Sequence, residues 1–447
     1  MASLILSFVG NQDPYSDDTE KPGSIVSLIK HLVEIQCEIK RVILLHTEAT
    51  EQNAIDTQHW LLSEQGLAEE AIVVVPVSEA LSLDPINQGL AVQEVRRAVE
   101  LAQQEQAEAD TLEFNASSGT PAMKSSWGIL QASGYVQRSH LWQVRNPKQM
   151  KPGQLLVFRD DVNVLKNEFD LKLIKQQIQD YDYSAALVTL RQSNLISKPL
   201  VALLQYGRCR LSLDFDRAYD VLQPQAKAYP QLQQEITALS SKKLSDRLKL
   251  IPRQDQQRRY EVEEANDKAL LCEAYFKALT RLKRKEYSDF LVDIFRLLES
   301  IPKFLVQYQV GLAIPRKKAE TISCWEAVEQ FQAGQLFTYL KAYRFPNGSD
   351  LKLEGFMSRY LLMVILEYFS EFADILPAIQ RLNEYCDQRN DYVHGFRGIS
   401  AIDKEHEVMA DLRKVLLKAT PIPPDSPFDR LNQQICDLLD RALRSHQ

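Results

Sequence analysis

The feature that most restricts this chain is a change of rhythm near residue 160. Before it, short apolar runs ("SLILSFV", "RVILLHT", "AIVVVPV", "TLEFNA", "SHLWQV") alternate with longer amphipathic stretches such as "SIVSLIKHLVEI" and "AVQEVRRAVELAQ". Strands buried on both faces read as continuous apolar runs, and parallel strands need helical crossovers. The pattern therefore predicts a parallel sheet with helices on both faces. Right-handed crossovers favour a Rossmann-like strand order, 3-2-1-4-5.

From about residue 161 the strand signal stops and helical periodicity continues to the C-terminus. "YSAALVTL", "FDRAYDVL" and "YSDFLVDIF" look like halves of helical hairpins, too irregularly spaced for a solenoid. The polar, basic stretch 242–259 contains Pro252 and reads as a linker or an exposed helix end. Long amphipathic helices follow, broken by "FPNGSD" at 345–350 and "TPIPPDSP" at 420–427. The expected fold class is an α/β Rossmann-like N-terminal domain (1–160), an all-α linker region (161–265) and an all-α C-terminal domain (266–447).

A chain of 447 residues, 45% hydrophobic and 25% charged, has an ordinary soluble composition with room for two or three domains. The net charge of −7 excludes a uniformly basic nucleic-acid coat but leaves room for a local basic groove. Six scattered cysteines form no CxxC pair, which speaks against a disulfide framework or zinc site and for a reducing, cytoplasmic setting. "MASLILSFVG" has no basic leader and too short an apolar run for a signal peptide. No run approaches the ~18 apolar residues of a membrane helix.

Two stretches carry candidate chemistry. In the expected strand order the first and fourth strands are neighbours at the switch point, so the loops leaving them face each other across one crevice. These loops are "VGNQDPYS" (Val9 to Ser16) and "NASSGTPAM" (Asn115 to Met123). Gly10 and Gly119 allow close backbone approach, Thr120 is a helix N-cap and Pro121 suits the first helical position. A helix start of this kind favours a phosphate-bearing ligand. Neither GxGxxG nor GxxxxGK[ST] is present, which disfavours NAD binding and ATP hydrolysis.

The second stretch is "QRNDYVHGF", Gln388 to Phe396. Ile375, Ile379, Leu382, Cys386, Arg389 and Val393 follow one another at spacings of 4, 3, 4, 3 and 4 and form one helical stripe. Arg389 therefore sits in an apolar seam, a costly place for a guanidinium unless it is paired or faces a polar cleft. Asn390 and His394 are neighbours at i,i+4, and Gly395 suits a helix C-terminus. An imidazole there can gain and lose a proton, and Arg389 can hold a phosphate. An arginine paired with a core carboxylate beside a capping histidine is the plainer reading of the same residues. One such set lacks a second acid–base group, which a two-fold dimer would supply.

Taken together, these motifs resemble a known family. R-x4-H with a polar residue after the arginine, late in an all-helical domain, resembles the HEPN ribonuclease motif. "GNQDP" and "SSGTPAM" resemble the ligand loops of CARF (CRISPR-associated Rossmann fold) domains. Their order resembles the accessory ribonucleases of type III CRISPR systems. The resemblance implies a homodimer that binds a cyclic oligoadenylate in its paired CARF domains. It further implies that the paired HEPN domains cleave single-stranded RNA in antiviral defence, with no membrane and no DNA as partners. Carried over by position, Arg389, Asn390 and His394 match the catalytic motif. Gly10, Asn11, Asp13, Ser117, Ser118, Gly119 and Thr120 lie in the ligand loops, and Lys124 and Trp127 follow on the next helix. The chemistry needs no metal: the RNA 2′-OH attacks its own phosphodiester, giving a 2′,3′-cyclic phosphate. The seven histidines show no H-x3-H or HExxH spacing, so a metal site is disfavoured.

Other features read as structural. The basic runs "RLKRK" (281–285) and "PRKK" (315–318) are ordinarily solvated helix faces. "AYRF" and "EYF" are ordinarily core. Asp293, Arg296 and Glu299 are read as an ion-pair ladder in preference to a support for the catalytic cleft. The rival reading of the whole is a cyclic-nucleotide sensor with a catalytically silent helical dimerisation domain. A transcription regulator would need a basic helix-turn-helix, for which no convincing candidate stands at the C-terminus. Activator ring size, RNA preference and slow cleavage of the activator in the crevice are not decided by the sequence.

Overall fold

A computed structural model gives the architecture. It describes residues 2–16, 21–104, 106, 107, 110–136, 138–315, 320–345, 348–395 and 399–445, with backbone alone for 386–395 and Ser445. The chain packs as two compact units. The first comprises Met1–Lys172, Ser193–Leu195 and Ala442–Gln447, and the second Leu173–Gln192 and Ile196–Arg441.

The first unit is built on six strands: β1 (Ala2–Phe8), β2 (Glu38–His46), β3 (Ile72–Pro76), β4 (Thr111–Asn115), β5 (Ser139–Val144) and β6 (Val157–Asp160). Their order is β3-β2-β1-β4-β5-β6. The first five are parallel, with Leu6 opposite Ile43 on one side and Phe114 on the other. The central strand β1 is mostly apolar because both its faces are covered, and its two serines, Ser3 and Ser7, are buried with hydrogen-bond partners in Glu113 and Asn115. Leu4, Leu6 and Phe8 pack on one face with Val95 and Val99 of α3 (Gln88–Gln103) and Trp127 of α4 (Pro121–Ala132). Ile5 packs on the other with Ile25 and Ile29 of α1 (Ser24–Glu34) and with Trp60 and Leu61 of α2 (Glu51–Ser63).

The five expected strands and their order are present, and a sixth is added. β6 runs antiparallel to β5, with Leu141 opposite Asp160. Its sequence, "VFRD", is four residues long with two charges, and only Val157 is buried. A short, charged edge strand protects the sheet from further pairing, and for the same reason it carries almost no strand signal.

The second unit contains only helices and turns among its described residues, apart from one isolated bridge between Arg344 and Asp350. Its long elements are α5 (Gln256–Lys283), α6 (Tyr287–Phe304), α7 (Leu376–Gly395), α8 (Glu405–Ala419) and α9 (Pro427–Ser445). Residues 242–259 are the helical kind of segment rather than a linker: helix Ser241–Lys249, a turn holding Pro252, and the start of α5. The run 281–285 is engaged in ion pairs, with Arg281 on Glu286 and Lys283 3.0 Å from Asp429. Pro315 is described, but 316–318 lie outside the described residues.

A buried ionic cluster ties this unit together. Arg210 makes a two-pronged contact with Glu273 (2.6 and 2.8 Å) and reaches Tyr206 and Glu235, each at 2.7 Å. Arg430 of α9 completes it at 2.8 Å from Glu235. Burial pushes the Tyr206 hydroxyl up to about 12, against the opposing pull of Arg210. Burial also pushes the Glu235 carboxyl up, but Arg210 and Arg430 more than offset it and leave the group below its ordinary value.

Arg210→Met leaves Glu273 without its cation and Glu235 with Arg430 alone, and we expect a loss of about 3–5 kcal/mol in urea denaturation at pH 7. The contribution of Glu235 is full above its unfolded pKa and fades as pH falls through its lowered folded pKa. The deficit of the variant should therefore shrink toward acid pH. An unchanged difference between the two proteins from pH 7 to pH 3 would show that the cluster does not act through charge.

Candidate functional site

The crevice is assembled by Asp13, which lies in the loop after β1 and is only 2% exposed. Its carboxylate accepts hydrogen bonds from the backbone N–H of Gly10 (3.1 Å), Ile25 (3.2 Å) and Ser24, and from the Ser118 hydroxyl. One side chain thus joins the β1 loop, the start of α1 and the β4 loop. Burial holds the Asp13 carboxyl above its ordinary value despite those four donors.

The β4 loop is held from below by Asn115, fully buried at the strand end. Its amide donates to the hydroxyls of Ser7 (3.0 Å) and Ser24 (3.2 Å), and its carbonyl accepts from the Ser117 N–H at 3.0 Å. The Ser117 hydroxyl accepts from the N–H of Val144 at 2.7 Å. Gly119 has φ +89°, and a Cβ there would meet Met123 and Phe8 at 3.0–3.2 Å. A Cβ on Gly10 would meet Ser118 Oγ at 3.0 Å and Gly119 N at 3.1 Å, so the two loops touch at their glycines. Thr120 caps α4, accepting from Met123 N at 3.3 Å while its hydroxyl donates to Pro85 O at 2.6 Å.

Two helices begin at this crevice, and they differ in charge. The Asp13 carboxylate already sits on the first N–H groups of α1. The start of α4 is capped by a neutral hydroxyl and keeps its positive dipole end, the arrangement that favours an anion. Gly10, Ser117, Gly119 and Thr120 are partly exposed there, Asn11 is exposed, and Lys124 is half-buried one turn into α4. Asp13 and Ser118 are turned inward and hold the loops. Trp127 is corrected: it is fully buried between the rings of Phe8 and Phe114 (5.6 and 5.1 Å) and belongs to the core.

Several supports escaped the sequence reading. Asn53 of α2 donates to the carbonyls of Asp13 (2.8 Å) and Asn11 (3.4 Å). Gln88 of α3 donates to Ser126 Oγ at 2.7 Å and Ala122 O at 3.1 Å, gripping α4. Gly23 precedes α1 so closely to the Asp13 loop that a Cβ would collide with Gln12 O and lie 2.6 Å from Asp13 Oδ1. The small-residue context "KPGS" was the available signal for Gly23; nothing local marks Asn53 or Gln88.

In the second unit, α7 runs unbroken through Gly395, and Arg389, Asn390 and His394 occupy its last two turns. The side chains of 386–395, and 396–398 entirely, lie outside the described residues. The preceding part of the stripe is as expected, with Ile375, Ile379 and Leu382 fully buried. Tyr385 donates to Asp403 O at 3.0 Å just before α8, and Tyr287 at the start of α6 bonds to Glu405. The middle of α7, at Tyr385, therefore lies at the level of the first turns of α6 and α8. Asp293, two turns into α6, keeps the expected i,i+3 pairing with Arg296, but its nearer partner is on another helix. It points inward to Lys277 at 3.2 Å, with both side chains under 10% exposed, while Arg296 stands 3.6 Å away. Burial raises the Asp293 carboxyl, and Lys277 and Arg296 offset this only in part.

Among the described residues no three His, Cys, Asp or Glu side chains converge as a metal set, and no helix is long and apolar enough to cross a membrane.

The fold places the chain in a class: a Rossmann-like α/β part followed by an all-helical part, the arrangement implied by the CARF–HEPN resemblance. Among solved structures, Csm6 of Enterococcus italicus bound to cyclic hexa-2′-fluoro-hexa-dAMP matches with a TM-score of 0.62. The match covers 98% of this chain and 100% of that one at 16% sequence identity, so the likeness is one of fold over the full length. No family model and no curated protein matches the sequence.

Gly23→Ala should destabilise the first unit by about 1–3 kcal/mol through overpacking alone, since Gly23 has an ordinary φ of −65°. Thermal unfolding with a probe on this unit measures it. An unchanged midpoint would mean that the Asp13 loop yields freely.

Proposed function

We propose that this chain is a metal-independent endoribonuclease switched on by a cyclic oligoadenylate, acting as a homodimer in CRISPR antiviral defence. The observation that carries the reading is the end-to-end fold likeness to Csm6 bound to a cyclic hexanucleotide, combined with an R-x4-H segment at the end of α7. Domain limits of 1–160, 161–265 and 266–447 accompany it, as does a cytoplasmic location.

The activator is assigned to the crevice between the β1 and β4 loops. Gly10, Gly119 and Thr120 offer backbone and the open end of α4 to a phosphate, Asn11, Ser117 and Lys124 border the opening, and Asp13 and Ser118 keep the loops in register. The catalytic work is assigned to Arg389, Asn390 and His394 from each of two copies. His394 assists proton movement at the attacking 2′-OH or the leaving 5′-oxygen. Arg389 offsets charge on the phosphorus oxygens, and Asn390 orients the ring or the RNA. The two sites stand in different parts of the chain, so activation requires that the effector bind one state of the dimer more tightly than another.

Cleavage of a single-stranded RNA, with and without cyclic tetra- or hexa-adenylate and with EDTA present throughout, tests the reading. His394→Ala should lower the activated rate by about 10²–10⁴-fold with the dimer and the melting point retained. Stimulation that vanishes in EDTA and returns with magnesium would overturn the metal-free mechanism.

Thr120→Glu should abolish activation by placing negative charge where a phosphate is expected, and should leave unstimulated cleavage unchanged. Full stimulation of this variant by the cyclic oligoadenylate would remove the crevice from the regulatory role.

A further inference from the structure

The second unit contains a cavity of about 750 Å³ that the nuclease reading does not use. Its size falls within the ~300–1,000 Å³ of small-molecule sites. The wall is mostly apolar: Leu270, Leu271 and Ala274 of α5, Leu297 and Phe304 of α6, and Met357 from the loop opposite. Along one edge runs a polar stripe. Arg296, Ser300, Lys303 and Gln307 follow at spacings of four, three and four residues, so they lie on one side of α6 and the turn that continues it.

The charge of this lining is lopsided. Arg296 is 58% exposed and only loosely paired, at 3.6 Å, with an Asp293 whose nearer partner is Lys277. Lys303 is exposed, and among the described residues nothing pairs with it. Among the described residues the lining holds a single carboxylate, Asp267, which accepts a hydrogen bond from the Tyr308 hydroxyl at 2.7 Å and is engaged within the wall. Two cations on an apolar basin are complementary to a ligand with one anionic head and an apolar body.

The backbone at the same place is also unusual. After Pro302 the helix widens into a π-turn over Leu305–Val310, which closes on Gly311 at φ +82°. Gln307 and Tyr308 enter the lining from that turn. π-turns are rare and are frequent at functional sites.

We infer that this cavity between α5 and α6 is a binding site for a small amphipathic monoanion, an aliphatic carboxylate of medium chain length. The apolar chain lies along Leu270, Ala274, Leu297 and Phe304, and the carboxylate faces Arg296 and Lys303. The site requires neither the crevice ligand nor the R-x4-H segment, so it stands or falls separately from the nuclease reading.

Calorimetric titration of the full chain with decanoate, and with decyltrimethylammonium as a cation of equal chain length, tests the inference. Decanoate should bind saturably and at least tenfold more tightly than the cation. Lys303→Glu and Arg296→Glu should each weaken decanoate at least tenfold and narrow the preference between the two probes. Ala274→Trp should abolish binding by filling the basin. Because that variant could disturb α5, the exposed Lys303→Gln serves as a second measure and should lie between wild type and Lys303→Glu. Equal affinity for the two probes, no saturable decanoate binding, or charge variants with unchanged affinity would each overturn the assignment.

Discussion

A single carboxylate holds the crevice between the β1 and β4 loops in shape. Asp13 is buried at the point where the loop after β1, the first turn of α1 and the loop after β4 converge, and it takes one donor or more from each. Burying a charged group is costly unless hydrogen bonds replace the lost water, and here four donors surround it. The same contacts determine which helix start faces outward with its dipole uncompensated. α1 is quenched by Asp13, and α4 is left open behind Thr120. The polarity of the crevice thus follows from where one aspartate is spent.

Much of this was legible in the sequence. Five strands were visible because strands covered on both faces are apolar at most positions, and their order followed from the handedness of crossovers. Thr120–Pro121 announced a helix start, and Gly10 and Gly119 a close approach of backbone, because few other residues serve those positions. The stripe from Ile375 to Leu382 announced the buried face of α7.

What was not legible depended on contacts between distant segments. Asp13 looked like a ligand-facing residue because it stands in a polar loop; only the approach of Ser118, more than a hundred positions away, turns it into an internal brace. Trp127 falls on the inward face of α4 because Phe8 and Phe114 are waiting there. Spacing alone paired Asp293 with Arg296, and that pair is present at 3.6 Å, but Lys277 on the neighbouring helix stands closer and draws Asp293 inside. β6 went unseen because an edge strand of four residues has no buried second face to fill with apolar side chains.

The ionic cluster of the second unit bears on how the chain is made. Arg430 closes the contact with Glu235, and Asn432 accepts from the buried Tyr183 hydroxyl at 2.8 Å while donating to Ile178 O at 2.8 Å. Residues near 180 therefore wait for partners that a ribosome adds some 250 positions later, a separation set by the Tyr183–Asn432 pair. Until then Tyr183 and the Arg210–Glu235 pair lack the helix that covers or completes them. The helical unit can mature only once residues 430–432 have been made, while the α/β unit has most of its sheet in hand far earlier.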